Sequence, residues 1–151
     1  MDQAERPFAW VGIAAIVVAG VVGAAMARRH SQQLVWAMAY LNLVVGLGQW
    51  ALGAGQLRLV ERPPARTTVW AQWLLLNVGH AGVIAGTLFR SFAVVAVATV
   101  PYLLAMAWFA WRVRAGRAGT LLLGYRVLVA LLSLSALTGV GLMWLISRGV
   151  I

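Results

Sequence analysis

The sequence predicts an all-α integral membrane protein, a polytopic helical bundle of five transmembrane helices. Three observations predict it. First, 63% of the 151 residues are hydrophobic and 10% are charged, where a soluble domain carries roughly 25% charged residues; too little polar surface remains to cover a water-soluble fold. Second, five apolar stretches, near 8–27, 34–56, 69–89, 92–111 and 121–146, are each long enough to cross ~30 Å of hydrocarbon at ~1.5 Å per residue. Third, most of the arginines and prolines, together with turn residues, fall between these stretches. The whole chain, 1–151, reads as a single transmembrane domain.

The first stretch ends at Arg28, Arg29 and His30. Its Ala25-Met26-Ala27 has the form of a signal-peptide cleavage site. The segment Met1 to Pro7 has no net positive side-chain charge, however, and the apolar run is long for an h-region, so a retained span is expected. Gly12, Ala15, Ala19 and Gly23 share one side, a small-residue pattern suited to close helix packing.

In the second stretch, Asn42, Gly46, Gln49, Gly53 and Gln56 fall on one narrow stripe by helical periodicity. Such a stripe is expected to face another helix or a hydrated cavity. A polar loop follows, with Arg58, Glu61, Arg62, Pro63, Pro64 and Arg66. In the third stretch Trp73, Asn77, His80, Ile84 and Thr87 share one face, and Gly79, Gly82 and Gly86 the opposite one. This helix is expected to be central, with its polar face meeting the Asn42–Gln49 stripe.

The run from Val69 to Trp111 is too long for one span, and Arg90 is the only charge inside it. It reads as a helical hairpin turning at Arg90 and Ser91, with a kink expected at Pro101. Arg112, Arg114, Gly116 and Arg117 precede the fifth stretch, which carries Ser135, Thr138 and Gly139 on one side. Val35-Trp36-Ala37, followed by Asn42 and Gly46, echoes Val69-Trp70-Ala71, followed by Asn77 and Gly79, as a degenerate repeat of one helix unit would. Trp10, Trp36, Trp70, Trp73, Trp108, Trp111 and Trp144 lie near span ends, where indole rings anchor at headgroup level.

The net charge of +9 comes from twelve arginines, no lysine and three acids. These arginines sit between apolar runs and form no basic face, which argues against nucleic-acid binding. Arg6, Arg58, Arg62, Arg66, Arg112, Arg114, Arg117 and Arg126 fall on the side of the N-terminus; Arg28, Arg29, Arg90 and Arg148 fall on the other. The positive-inside rule then puts the N-terminus in the cytoplasm. Arginine used without lysine suits a GC-rich genome, and a bacterial inner membrane is the expected location.

No cysteine is present, which removes disulfides, thiolate metal sites and Cys nucleophiles. No carboxylate lies within an apolar stretch, so proton-relay pairs and carboxylate metal sites lack parts. No phosphate-binding glycine motif appears, and the serines lack a base and acid partner. The chain therefore reads as non-enzymatic, with no catalytic residue to name.

The polar residues within the stretches have two readings. One is interhelical packing, at ~0.6 kcal/mol per hydrogen bond. The other is a ligand or cofactor site centred on His80, Asn77 and Gln49, with His80 as a metal or haem ligand. His30 sits about 15 Å away along the bundle axis, too far to complete a bis-histidine haem. His80 from a second chain, a partner subunit, or Met106 would have to supply the second axial ligand.

From Trp70 to Arg114 the chain resembles a helical hairpin of the haem–copper oxidase subunit I superfamily and its nitric-oxide-linked NnrS-like relatives. The resemblance rests on Trp73-Leu-Leu-Leu-Asn77-Val-Gly79, on Arg90 at the turn, and on Trp108-Phe109-Ala-Trp111-Arg112. It covers under a third of the chain. The family ligates haem and copper through a set of intramembrane histidines, of which this sequence has only His80. The resemblance thus implies a small relative that assists or docks to a respiratory complex or binds haem weakly, without a complete haem–copper centre.

Three functions follow as expectations. The first is a small non-catalytic subunit or accessory protein of a membrane complex, with a membrane-protein partner or a homo-oligomer in the bilayer. The second is a haem- or metal-binding membrane protein using His80. The third is a small-solute channel or transporter lined by Asn42, Gln49, Asn77 and His80.

Overall fold

The computed structural model describes residues 3–26, 31–116 and 119–150. Ala27 of the cleavage-site pattern, the charged cluster Arg28, Arg29 and His30, and Arg117 lie outside the described residues. Within them the chain is all-α, with five long helices: α1 (Arg6–Met26), α2 (Gln32–Leu59), α3 (Arg66–Leu88), α4 (Phe92–Arg112) and α5 (Thr120–Ser147). Each begins and ends within three residues of one apolar stretch. All but α3 are long and apolar enough to cross a membrane.

The boundaries have local causes. Pro7 sits in the first turn of α1, where its missing N–H costs no helical bond. Pro63 and Pro64 hold the chain extended before Ala65 starts α3. At the far end of α3, Ser91 N donates to Gly86 O at 2.8 Å and Arg90 N to Thr87 O at 3.2 Å. This is a Schellman closure, which needs a left-handed residue, and Arg90 supplies it at φ 52°. Ser91 then caps α4, its hydroxyl accepting from Val94 N. The same closure ends α5 with Gly149, at φ 67°, in the left-handed position. The helical hairpin expected from the single charge at Arg90 is thus formed, and α4 runs on through Pro101 as one helix.

Small residues set which helices pair. Gly12, Ala15 and Ala19 of α1 are buried. Gly12 lies so close to the Gly46 carbonyl that a Cβ there would come within 2.8 Å of it. On the other side of the bundle Gly79, Gly82 and Gly86 of α3 receive Tyr102, Ala98 and Val95 of α4. α5 closes the bundle against α4 and α2. The expectation of a central third helix is not met: α3 lies along α4 and touches α1 and α2 lightly. Close approach to one partner through three glycines draws it into a pair.

All five helices share the core, through Phe8, Leu52, Leu76, Tyr102, Met106, Phe109 and Tyr125. Phe8 and Phe109 meet edge to face at 5.7 Å. The outer surface is apolar, with Ile13, Val17 and Val21 of α1, Val97, Val100 and Leu104 of α4, and Leu123, Leu131 and Leu134 of α5 all exposed. An apolar exterior around an amide-bearing interior suits oil as the solvent.

Candidate functional site

The interior polar groups gather at two levels of α2 and α3. At the first, Gln56 and Gln72 form a closed amide pair. Gln56 Nε2 donates to Gln72 Oε1 at 3.3 Å, and Gln72 Nε2 donates back to Gln56 Oε1 at 3.0 Å. Both side chains are buried. Sequence reasoning missed Gln72, although its spacing from Val69, Leu76 and Gly79 puts it on the buried face of α3.

At the second level, ~12 Å further along α3, His80 stands between two tyrosines. Tyr40 Oη lies 3.0 Å from His80 Nδ1. The Tyr40 and Tyr102 rings meet the imidazole edge-on, with centroids 5.7 and 5.3 Å away. If the Tyr40 hydroxyl donates, the neutral ring carries its proton on Nε2; if it accepts from Nδ1, Nε2 keeps a lone pair. In both tautomers Nε2 is buried without a partner.

Gln49 is the second unsatisfied group. It is 0% exposed, and both its amide nitrogen and its amide oxygen lack a hydrogen-bond partner. It precedes Gln56 by two helical turns. Counting the same two turns from Gln72 along the antiparallel α3 brings it roughly level with Gly79, beside His80.

A wide turn in α2 creates this second level. Residues Tyr40–Gly48 form a π-helical segment, whose i→i+5 bonds let an extra residue into the turn. At ~100° per residue, nine α-helical steps would put Tyr40 and Gln49 on opposite faces. Absorbing one residue leaves them about 80° apart, so that Tyr40 reaches His80 while Gln49 stays inside. The same slip turns Asn42 outward, and it is exposed. The single stripe expected from Asn42 to Gln56 is therefore divided: Gly46 and Gly53 meet Ile16 and Phe8 of α1, while Gln56 meets Gln72 of α3.

Asn77 does not join the cluster. It is half-buried, and its Nδ2 donates to the Trp73 carbonyl one turn back, at 2.8 Å. Of the four residues expected to line a conduit, Gln49 and His80 are thus inside, Asn77 is tied to its own helix and Asn42 faces out. Two residues the sequence did not single out, Tyr40 and Tyr102, complete the surroundings of His80.

Both tyrosines also line a cavity of about 390 Å³, together with Thr87, Thr99, Ser135 and apolar side chains. The hydroxyls of Thr99 and Ser135 donate to carbonyls of their own helices, at 2.8 and 2.9 Å, leaving lone pairs available. The volume is that of a small-molecule site.

The residues around His80 do not fit a haem. A porphyrin needs an open slot in front of the ligating nitrogen, whereas Nε2 is walled in and His80 does not line the cavity. Met106, the candidate second ligand, is packed in the apolar core. Nor do the described residues gather three metal-ligating side chains at one place. Comparisons with protein-family models, curated proteins and solved structures found no match.

Proposed function

We propose that this protein is a small, non-catalytic integral membrane subunit that crosses the bilayer five times and serves a larger membrane complex. One observation carries this reading: apart from Gln49 and His80 Nε2, the polar side chains between the helices are held by hydrogen bonds within the bundle. Gln56 closes on Gln72, Tyr40 on His80, Tyr125 on the Leu52 carbonyl at 3.1 Å, and Asn77 on Trp73. Among the described residues no carboxylate lies inside a helix, since Glu5 precedes α1 and Glu61 sits in the α2–α3 loop. Such an interior lacks a carboxylate relay, which supports a role played through shape and docking.

The fifth span is α3. Its 23 residues extend ~35 Å, enough for the hydrocarbon layer, and its amide and imidazole groups lower its hydropathy while turning inward. The arginine bias supports a cytoplasmic N-terminus and a bacterial inner membrane. The resemblance of residues 70–114 to the oxidase hairpin supports a respiratory setting. Extraction in mild detergent followed by native mass measurement tests the reading. A complex with a second protein, or a defined homo-oligomer, is expected. A bare monomer in every detergent, or a chain that stays dispersed in plain buffer, refutes it.

A second reading rests on Gln49 and His80 Nε2. Gln49 and His80 Nε2 are buried without partners, and Tyr40 and Tyr102, which flank His80, line the 390 Å³ cavity; rearrangement of the two tyrosines would open these groups to a small ligand with both donor and acceptor groups. Extraction and mass spectrometry of the purified protein should yield one compound in wild type and none in Gln49→Leu or His80→Ala. An identical extract from all three would refute it. The absorbance spectrum should show no Soret band.

A further inference from the structure

At the other end of the bundle, away from His80, the amino-terminal ends of α1 and α3 stand side by side. The Trp73 indole N–H donates to the Pro7 carbonyl at 3.1 Å and ties the two ends together. Between them lies an open cleft of about 550 Å³, whose walls include Arg6, Arg66, Trp10, Trp70, Pro63 and Pro64. The prolines are stiff, which keeps the α2–α3 loop from folding into the space.

Among the described residues the charged side chains lining this cleft are both basic: Arg6 and Arg66 line it, Glu61 of the same loop is absent from its wall, and Glu5 accepts the Trp50 indole N–H at 3.1 Å. Neither arginine is paired with a carboxylate among the described residues. Neither helix has an acid in its first turn, and α3 has no side-chain cap. Its first N–H groups are thus left without a capping side chain, at the positive end of the helix dipole. Two exposed arginines, each able to grip two oxygens, line the cleft beside this helix end. The Trp10 and Trp70 rings are 66% and 45% exposed and offer flat amphipathic faces of the kind that rest at headgroup depth.

We propose that this cleft binds a phosphate group, presented as the headgroup of an anionic phospholipid. The phosphate lies between Arg6 and Arg66 at the start of α3, and the glycerol backbone lies against Trp10 and Trp70. Basic pockets between helix ends at a membrane surface recognise phospholipid headgroups through this chemistry. The lipid assignment rests on the membrane reading above; the recognition of phosphate does not.

The test uses the full chain in nanodiscs of phosphatidylcholine with a minor fraction of phosphatidylglycerol. Lipid retained after extraction is read by native mass spectrometry. Wild type should retain phosphatidylglycerol selectively, and Arg6→Gln/Arg66→Gln should retain it about 30-fold more weakly, on the usual contribution of two arginines at a membrane surface. Arg148→Gln, at the opposite end of the bundle, should behave as wild type. Arg6→Lys/Arg66→Lys should recover part of the retention, because charge returns without the bidentate fork. Helix content by circular dichroism checks that the variants fold. Equal retention by wild type and Arg6→Gln/Arg66→Gln, or no preference over phosphatidylcholine in wild type, overturns the proposal. A competition arm with inorganic phosphate distinguishes the sources. Insensitivity to millimolar phosphate supports the lipid, and complete displacement overturns the lipid assignment in favour of the free ion. A chain soluble without lipid would overturn the membrane reading instead, a separate result.

Discussion

Replacing Gln72 with Leu should destabilise the bundle, and replacing Gln56 as well should restore most of the loss. Leu is close to Gln in volume, so the perturbation is electrostatic. The two amides exchange hydrogen bonds of 3.3 and 3.0 Å, with 2% and 0% of their surfaces exposed. Gln72→Leu removes both bonds and leaves the Gln56 amide buried and unpaired, a cost of about 1–3 kcal/mol. Gln56→Leu does the same from the other side. The double substitution removes both polar groups and leaves an apolar contact, which is nearly neutral. The coupling energy should therefore be large. With each single substitution costing about 1–3 kcal/mol and the double close to neutral, the coupling energy should be about 2–6 kcal/mol. Equilibrium unfolding in mixed micelles, run as a double-mutant cycle, measures it. Additive single effects, with coupling below about 0.5 kcal/mol, would refute the reasoning and show that the amides do not meet.

Four further substitutions can be measured in the same assay. Gly79→Val should cost about 1–3 kcal/mol, because the added carbon would lie 2.7 Å from Tyr102 Cβ and 3.0 Å from its backbone; Gly124→Ala, inside α5 with nothing within 4 Å, should stabilise by roughly 0.5–1 kcal/mol through helix propensity. Arg90→Gly should stabilise by roughly 0.5–1 kcal/mol, since relief of the left-handed strain at φ 52° outweighs the added freedom of the unfolded chain; a loss of stability would mean that the arginine side chain contributes something the backbone does not show. Gln49→Leu should stabilise the ligand-free protein by about 1–3 kcal/mol, by removing a buried amide without partners, and a net loss would show that the amide is occupied.

Much of the fold was legible in advance because length and hydropathy act locally. Five apolar runs could only become five helices, and the glycines at 79, 82 and 86 and the small residues at 12, 15 and 19 marked the faces that approach a neighbour. The site was legible only in part. Gln49 and His80 were found because polar groups are rare in such runs. Gln72 was passed over because Trp73, Asn77 and His80 suggested a polar face that is only partly buried. Asn77 was misread because an amide can turn back to its own helix, as its bond to Trp73 shows.

Sequence alone determined the helical architecture and the apolar exterior, since each follows from which residues are present and how far apart they stand. The tertiary structure decided which polar groups meet. A regular period of 3.6 residues carries Asn42 inward with Gln49 and Tyr40 to the opposite face; the π-helical segment Tyr40–Gly48 reverses both placements. Such a change of register has no signature in hydropathy. It is set by how α2 packs against α1, where Gly46 accepts Ile16, and against α3, where Tyr40 reaches His80.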